Sequence, residues 1–164
     1  MATDQMTTVT EQQFAGEFRK GLLIVLEEIF EHVHGYLLHK ETSLFETLAT
    51  VSAEEASRPI SSQCASIAAQ VNHTLFYIDV LLEFVSTGQD VKSDWDGSWQ
   101  VGPVSDEEWQ ELIERLRTAY AQVQELARSF DQWDANHIGG SFALVGHCAY
   151  YLGEIRQGLG VLRG

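Results

Sequence analysis

The stretch that decides the fold is VGHCAYYLGEIRQGLGVL, from Val145 to Leu162. Its apolar residues recur at steps of three and four, which predicts a helix with one face in the core: Val145, Cys148, Leu152 and Ile155. Beside this stripe, His147, Tyr151 and Glu154 are spaced so that they share one face over two turns. The pattern therefore predicts a buried helix that carries polar, titratable groups along the edge of the core.

The rest of the chain is dominated by the same helical periodicity. The four predicted helices run from about Glu11 to about His34, from a cap at Ser61 or Ser62 to about Gly88, from a cap at Ser105 to about Phe130, and from about Gly140 to Leu162. No segment alternates with period two, so we expect no sheet. Four long helices predict an all-α fold, a four-helix bundle.

The connections between the predicted helices carry local signals of their own. The stretch 43–50 is suited to a short helix or turn, and Ser52 with Glu55 matches a capping box. The linker DVKSDWDGSWQVGPV, residues 90–104 between helices two and three, has no period and holds Trp95 and Trp99. A loop this long is often functional. The alternative, which we favour, is that both tryptophans close the open end of the bundle.

Composition limits the classes of function. The 164 residues with 45% hydrophobic content fit one domain, 1–164. A net charge of -14 disfavours nucleic-acid binding, and no apolar stretch reaches the roughly 20 residues of a membrane span. The start MATDQMTTVTEQQ lacks the features of a signal peptide. Cys64 and Cys148, without a C-x-x-C pair, fit a reducing cytoplasm, although a disulfide between them stays open.

The candidate chemistry rests on two histidines from two helices. His73 lies on helix two among aromatic residues, and a buried imidazole needs a hydrogen-bond partner or a metal. His73 and His147 would be a start for Zn, Ni or Fe, but a catalytic site usually needs three protein ligands. Tyr151 stands where a third histidine is expected, and Glu154 could complete the site or act as a general base. Satisfied core histidines are the commoner outcome.

Other candidates are weaker. Glu31 and His34 have the E-x-x-H spacing of di-iron bundles, but no second such motif exists. We expect Cys148 and Cys64 to pack as small apolar residues. His137, which precedes IGGS, is expected to be a turn residue.

Taken together, the segments SIAAQVNHTLFYIDVLLEF, SDEEWQELIERLR and HCAYYLGEIRQ, with the tryptophan linker between the first two, resemble the DinB-like superfamily over nearly the whole chain. The resemblance implies a four-helix bundle in which three histidines hold a divalent metal, Zn or Ni. By position these are His73, His147 and residue 151, where this chain has Tyr151. Members of the family include S-transferases and isomerases that use low-molecular-weight thiols, as well as a hydrolase class, and dimers are common.

Two hypotheses follow. The first is a metal-dependent transferase or hydrolase with an altered site, in which Tyr151 or Glu154 completes or tunes the pair of histidines, and Tyr77 and Trp99 line the pocket. It would act on a small-molecule substrate or with a thiol cofactor. The second is a metal-free member of the same fold that binds a small molecule or another protein without catalysis, in which the Tyr151 hydroxyl donates to one imidazole. Family resemblance alone does not decide between them.

Overall fold

The computed structural model describes residues 10–89 and 92–164 of the chain. These residues are mostly helical, which confirms the all-α class. In chain order the elements are α1 (Glu11–Phe30), α2 (Leu44–Leu48), α3 (Ala53–Ser57), β1 (Pro59–Ser61), β2 (Cys64–Ser66), α4 (Ile67–Thr87), a 3-10 turn (Gly97–Trp99), α5 (Asp106–Ser129) and α6 (Ala135–Arg163). The described part leaves out residues 1–9, which make up most of the N-terminal stretch without signal-peptide features. It also leaves out residues 90 and 91, the first two of the linker.

Helix α1 begins where predicted but ends four residues earlier than expected, at Phe30. The buried carboxylate of Glu28 gives the reason. Its two oxygens accept hydrogen bonds from the backbone N–H groups of residues 35–38, at 2.6 to 3.1 Å. Burial by itself raises the pKa of this carboxyl, but the four donors more than offset burial and hold the pKa below its ordinary value. The chain therefore leaves the helix and folds back over Glu28.

The two short helices between α1 and the hairpin follow their capping signals. Helix α2 lies within the predicted stretch 43–50, and Ser52 caps α3 by accepting a hydrogen bond from the backbone N–H of Glu55 at 3.2 Å. The Glu55 side chain accepts in turn from the backbone N–H of Ser52 at 3.1 Å. Reciprocal bonds of this kind need only two side chains three residues apart, so the sequence pattern is sufficient to predict them.

The absence of any sheet was a wrong prediction, because β1 and β2 form an antiparallel hairpin with Pro59 opposite Ser66. Strands of three residues are too short to show period-two alternation. The hairpin packs on α6 at Gly158, where an added Cβ would lie 2.3 Å from Ile60 Cδ1. Only a residue without a side chain admits Ile60 so closely.

The hairpin also moves the start of helix two. Ser66, rather than Ser61 or Ser62, caps α4, since its Oγ accepts a hydrogen bond from the backbone N–H of Ala69 at 3.2 Å. The end of α4 is as predicted, with Gly88 in the left-handed region at a φ of 67°.

The last two helices differ in how well their starts were predicted. Helix α5 opens with the expected capping box of Ser105 and Glu108. Helix α6 begins five residues before the expected Gly140, because the Asp134 carboxylate caps it by accepting from the backbone N–H of His137 at 2.8 Å. His137 is thus in the first turn of a helix, and its expected place in a loop turn was wrong.

The long helices pack around one apolar core. Helix α4 contacts α5 and α6, and α1 contacts α5 and α6 from the other side. Trp109 of α5 is almost fully buried, and its indole N–H donates to Val51 O at 2.9 Å. Phe14 of α1 and Leu37, which follows that helix, are about half exposed at 48% and 50%. Within residues 10–89 and 92–164, no helix is both long and apolar enough to cross a bilayer.

Candidate functional site

The packing of α4 against α6 brings the two predicted histidines together. The ring centroids of His73 and His147 lie 5.2 Å apart. The Tyr151 ring lies 5.0 Å from the first and 4.7 Å from the second. His73 is only 6% exposed, whereas His147 and Tyr151 are half-buried. The structure thus brings these three side chains together, and their chemical roles stay predictions.

The orientation of His73 is set by Ser98 in the 3-10 turn. His73 Nδ1 lies 2.7 Å from Ser98 Oγ, and the same hydroxyl donates its single proton to Trp95 O at 2.6 Å. Because the Ser98 hydroxyl donates its hydrogen bond to Trp95 O, it can only accept one from His73. This assigns the imidazole hydrogen to Nδ1. The lone pair of the neutral imidazole is then on Nε2. A partner that fixes the tautomer in this way is what a ligating or hydrogen-bonding histidine needs.

The turn that presents Ser98 is locked by its own residues. The Asp94 carboxylate accepts from the backbone N–H of Gly97 at 2.9 Å. An added Cβ at Gly97 would lie 2.3 Å from Asp94 Oδ2, so this close approach requires glycine. Asn72, the neighbour of His73 on α4, donates through Nδ2 to Ser98 O at 2.8 Å. The linker is thereby tied to the helix that carries the histidine.

His147 lies in apolar and aromatic surroundings and is incompletely satisfied. Tyr77 stacks on its ring at a centroid distance of 3.7 Å. Its Nε2 is buried and has no hydrogen-bond partner among the described residues. Burial, with a smaller contribution from the charge of His73, lowers the pKa of His147 to about 4. Burial also lowers the pKa of His73, so both imidazoles are neutral at pH 7.

Tyr151 and Glu154 occupy different environments. Burial, followed by the effects of Tyr150 and Glu154, raises the pKa of the Tyr151 phenol, which keeps it protonated. Its hydroxyl makes no hydrogen bond to His73, to His147 or to any other described residue, so the expected bond to an imidazole is not formed. Glu154 is exposed, and its charge helps to raise the pKa of Tyr151. Its role as a general base stays a prediction.

The tryptophan linker covers one side of the site. Trp99 stacks on His73 at 3.9 Å and lies 5.5 Å from the Tyr151 ring. Trp95 is 44% exposed and has its ring edge against Phe76 at 5.2 Å. Trp99 therefore lies against His73 and Tyr151, and its role as a pocket residue stays a prediction. Trp95 does not close the end of a core.

The cysteines and the competing motif are placed away from this chemistry. Cys148 is fully buried, and burial raises the pKa of its thiol to about 12, as expected for an inert packing residue. Cys64 is exposed, so its expected packing was wrong, because it lies in the hairpin rather than in a helix. Both thiols are free. Glu31, of the rejected E-x-x-H pair, accepts from the Tyr120 hydroxyl at 3.3 Å.

The residues missed from the sequence are Ser98 and Asn72. Neither belongs to a motif with a fixed spacing, and Ser98 lies in a segment without periodicity. The sequence DWDGSW did hold a signal, since aspartate followed three residues later by glycine favours a tight turn. That turn would have placed Ser98 and Trp99 on a defined surface, but not against His73.

The donor set fits a metal only in part. Two imidazoles that share a tetrahedral Zn with nitrogen atoms at about 2.0–2.1 Å would have centroids roughly 5 Å apart, as His73 and His147 do. A phenolate bound to the same ion would keep its ring roughly 6 Å from each imidazole centroid. The Tyr151 ring is closer than that, in side-on contact. No group of three or more His, Cys, Asp or Glu residues able to hold a metal occurs in the described part of the chain.

Comparison with protein-family models, with curated proteins and with solved structures gives no match to this chain.

Proposed function

We propose that this protein is a DinB-like four-helix bundle that binds a small molecule at His73 and His147 through two neutral imidazoles and holds no metal tightly. The observation that carries the proposal is the meeting of these imidazoles, one with its tautomer fixed by Ser98 and the other with Nε2 unpartnered. The presence of four long helices, α1, α4, α5 and α6, supports the four-helix arrangement that the resemblance implies.

The chemistry of the site favours a ligand that donates a hydrogen bond. With a pKa of about 4, His147 is too weak a base to remove a proton efficiently near pH 7, but its neutral ring can accept a hydrogen bond. His73 offers Nε2 in the same way. Trp99 and Tyr77 supply flat apolar surfaces on either side. A small molecule with a thiol or hydroxyl group next to an apolar body suits these features, and the thiol is the group that the resemblance suggests.

A second candidate is a metal-dependent transferase or hydrolase of the DinB-like class. It is favoured by the centroid distance, which suits a shared Zn or Ni, and by the unpartnered Nε2 of His147. In this case His73 and His147 would hold the metal, and Tyr151 or Glu154 would complete or tune the site. A bound metal would supply Lewis-acid activation of a water or thiol. The protonated phenol, in side-on contact with both imidazoles, weighs against a third strong ligand.

Calorimetric titration with Zn separates the two candidates. We expect the wild-type chain to bind Zn weakly, and Tyr151→His to bind it at least about tenfold more tightly, because a third imidazole would complete the ligand set. The double variant that adds His147→Leu should lose this gain. Submicromolar binding by the wild type would contradict the proposal in favour of the metal-dependent enzyme. No gain in Tyr151→His would contradict the DinB-like arrangement itself.

A homodimer in the cytoplasm, which the resemblance and the composition suggest, belongs to the same proposal. Phe142 and Tyr150 of α6 are 66% and 61% exposed, which suits a partner surface on this helix. Light scattering should give twice the chain mass of 18.4 kDa. A monomer at micromolar concentration would contradict this part.

A further inference from the structure

A second site is suggested by a cavity at the other end of the long helices. Its volume is about 280 Å³, and it lies between the C-terminal halves of α4 and α5 and the first turns of α6, with Leu22 of α1 at its floor. His137, one of its lining residues, precedes His147 by a distance of about 15 Å along α6. The cavity is therefore separate from the imidazole site, since its lining includes none of that site's aromatic or imidazole rings.

The cavity exists because small residues occupy positions where a bundle usually has large ones. Ala127 of α5 and Gly140 and Ser141 of α6 all face this space. At Gly140 an added Cβ would meet only Leu81 Cδ1, at an ordinary contact distance of 3.7 Å. Close packing thus does not require glycine there. Opposite these residues, Leu81 and other apolar side chains of α4 stay only half-buried, which leaves apolar surface for a ligand to cover.

The lining defines the chemistry of an occupant. Among the described residues that line the cavity, the ionisable ones are Asp134 and His137, and none is lysine or arginine. A carboxylate or phosphate would find no cation in this lining, in a chain with a net charge of -14, since Arg19 lies outside the lining and donates to Phe130 O at 3.1 Å. Most of the wall is leucine, valine, phenylalanine and tryptophan. An uncharged apolar molecule suits such a wall.

We infer that this cavity binds a neutral, compact, mainly apolar molecule, at a site independent of His73 and His147. A protein cavity of about 150 Å³ holds benzene, so this one suits roughly ten to twelve non-hydrogen atoms. Trp133 lies in the wall, and its indole N–H is buried without a hydrogen-bond partner among the described residues. A ligand with one small acceptor group beside its apolar body would satisfy this donor after a modest shift of the ring.

Two naphthalene derivatives of nearly equal size provide the test. Naphthalen-1-ylmethanol is neutral, and 1-naphthoate carries a carboxylate. In calorimetry at pH 7, we expect saturable binding of the alcohol in the cavity at one molecule per chain, counted in the full-chain variant His147→Phe so that a second molecule at the imidazole site does not contribute. The carboxylate should bind at least about tenfold more weakly, because its charge would be unpaired. No binding of the alcohol, or equal binding of both compounds, would overturn the inference.

Variants locate the binding. Ala127→Leu should fill the cavity and weaken binding of the alcohol at least about tenfold. Ala121→Leu, the same change at an exposed position of α5, should leave it unchanged. If Ala127→Leu loses its helical circular dichroism, Gly140→Leu, which fills the cavity from α6, takes its place. The molecule bound in the cavity should remain in His147→Phe, which alters only the imidazole site. Unchanged binding to the filled, folded variant would place the ligand elsewhere and overturn the inference.

Discussion

Two buried polar centres in this molecule, Glu28 and His147, differ in the hydrogen bonds that their surroundings supply. Glu28 carries a full charge at zero exposure, yet four backbone N–H groups point at its oxygens. His147 is neutral, and its buried Nε2 has no partner among the described residues. Glu28 stabilises the loop that follows α1. The Nε2 atom of His147 gains no hydrogen bond in the folded chain, and this marks it as a candidate for binding.

The largest expected effect on stability comes from a substitution at Glu28, the centre whose hydrogen bonds are satisfied. Glu28→Gln should lower the free energy of unfolding by about 3 kcal/mol, because an amide replaces one acceptor oxygen with a donor facing other donors. Glu17→Gln, at an exposed position of the same helix, should change it by less than about 0.5 kcal/mol. Urea denaturation followed by circular dichroism measures both. A loss below about 1 kcal/mol in Glu28→Gln would remove the structural role assigned to this carboxylate.

A smaller effect, which depends on pH, is expected at the unsatisfied centre. The folded-state pKa of His147 is about 4, below the ordinary value of 6.5, so the unfolded chain takes up the proton first as the pH falls. This contribution is complete above pH 6.5 and is lost between pH 6.5 and 4. It amounts to about 2 kcal/mol, since solvent at the half-buried ring screens part of the shift.

His147→Phe isolates this contribution. It should keep the stability of the wild type at pH 7 within about 1 kcal/mol, because it replaces an unsatisfied polar ring with an apolar one. The loss of stability between pH 6.5 and 4 should be smaller in the variant by the amount that His147 supplied. Denaturation curves at several pH values give the comparison. Parallel pH profiles for the two proteins would show that folding does not lower the pKa of His147.

The difference between the two centres also explains what the sequence could predict. The boxes at Ser52 and Ser105 were predictable because both partners lie within three residues. His73 and His147 could be paired because each lies on an apolar helical face at a similar depth. The role of Glu28 could not be predicted. A single glutamate at the edge of an apolar stripe gives the same sequence pattern whether it is exposed or accepts hydrogen bonds from a returning loop. Its partners follow the helix and carry no signal beyond their backbone N–H groups.

The residues that support the imidazole site could not be predicted from the sequence for the same reason. Ser98 acts through a turn whose shape depends on Asp94 and Gly97, and through an approach to α4 that no local pattern encodes. The apolar cavity likewise depends on how α4, α5 and α6 pack around small residues. The periodicity of the sequence predicts which face of a helix is buried, but not whether the space beyond it is filled.

The most direct test of the central claim is the state of the two imidazoles, read by ¹⁵N NMR of histidine-labelled protein at pH 7. We predict that both rings are neutral, with the His73 hydrogen on Nδ1, and that His147 stays neutral down to about pH 4. Ser98→Ala should release the tautomer of His73 and leave His147 unchanged. A His73 hydrogen on Nε2, or a His147 that titrates near 6.5, would contradict the account.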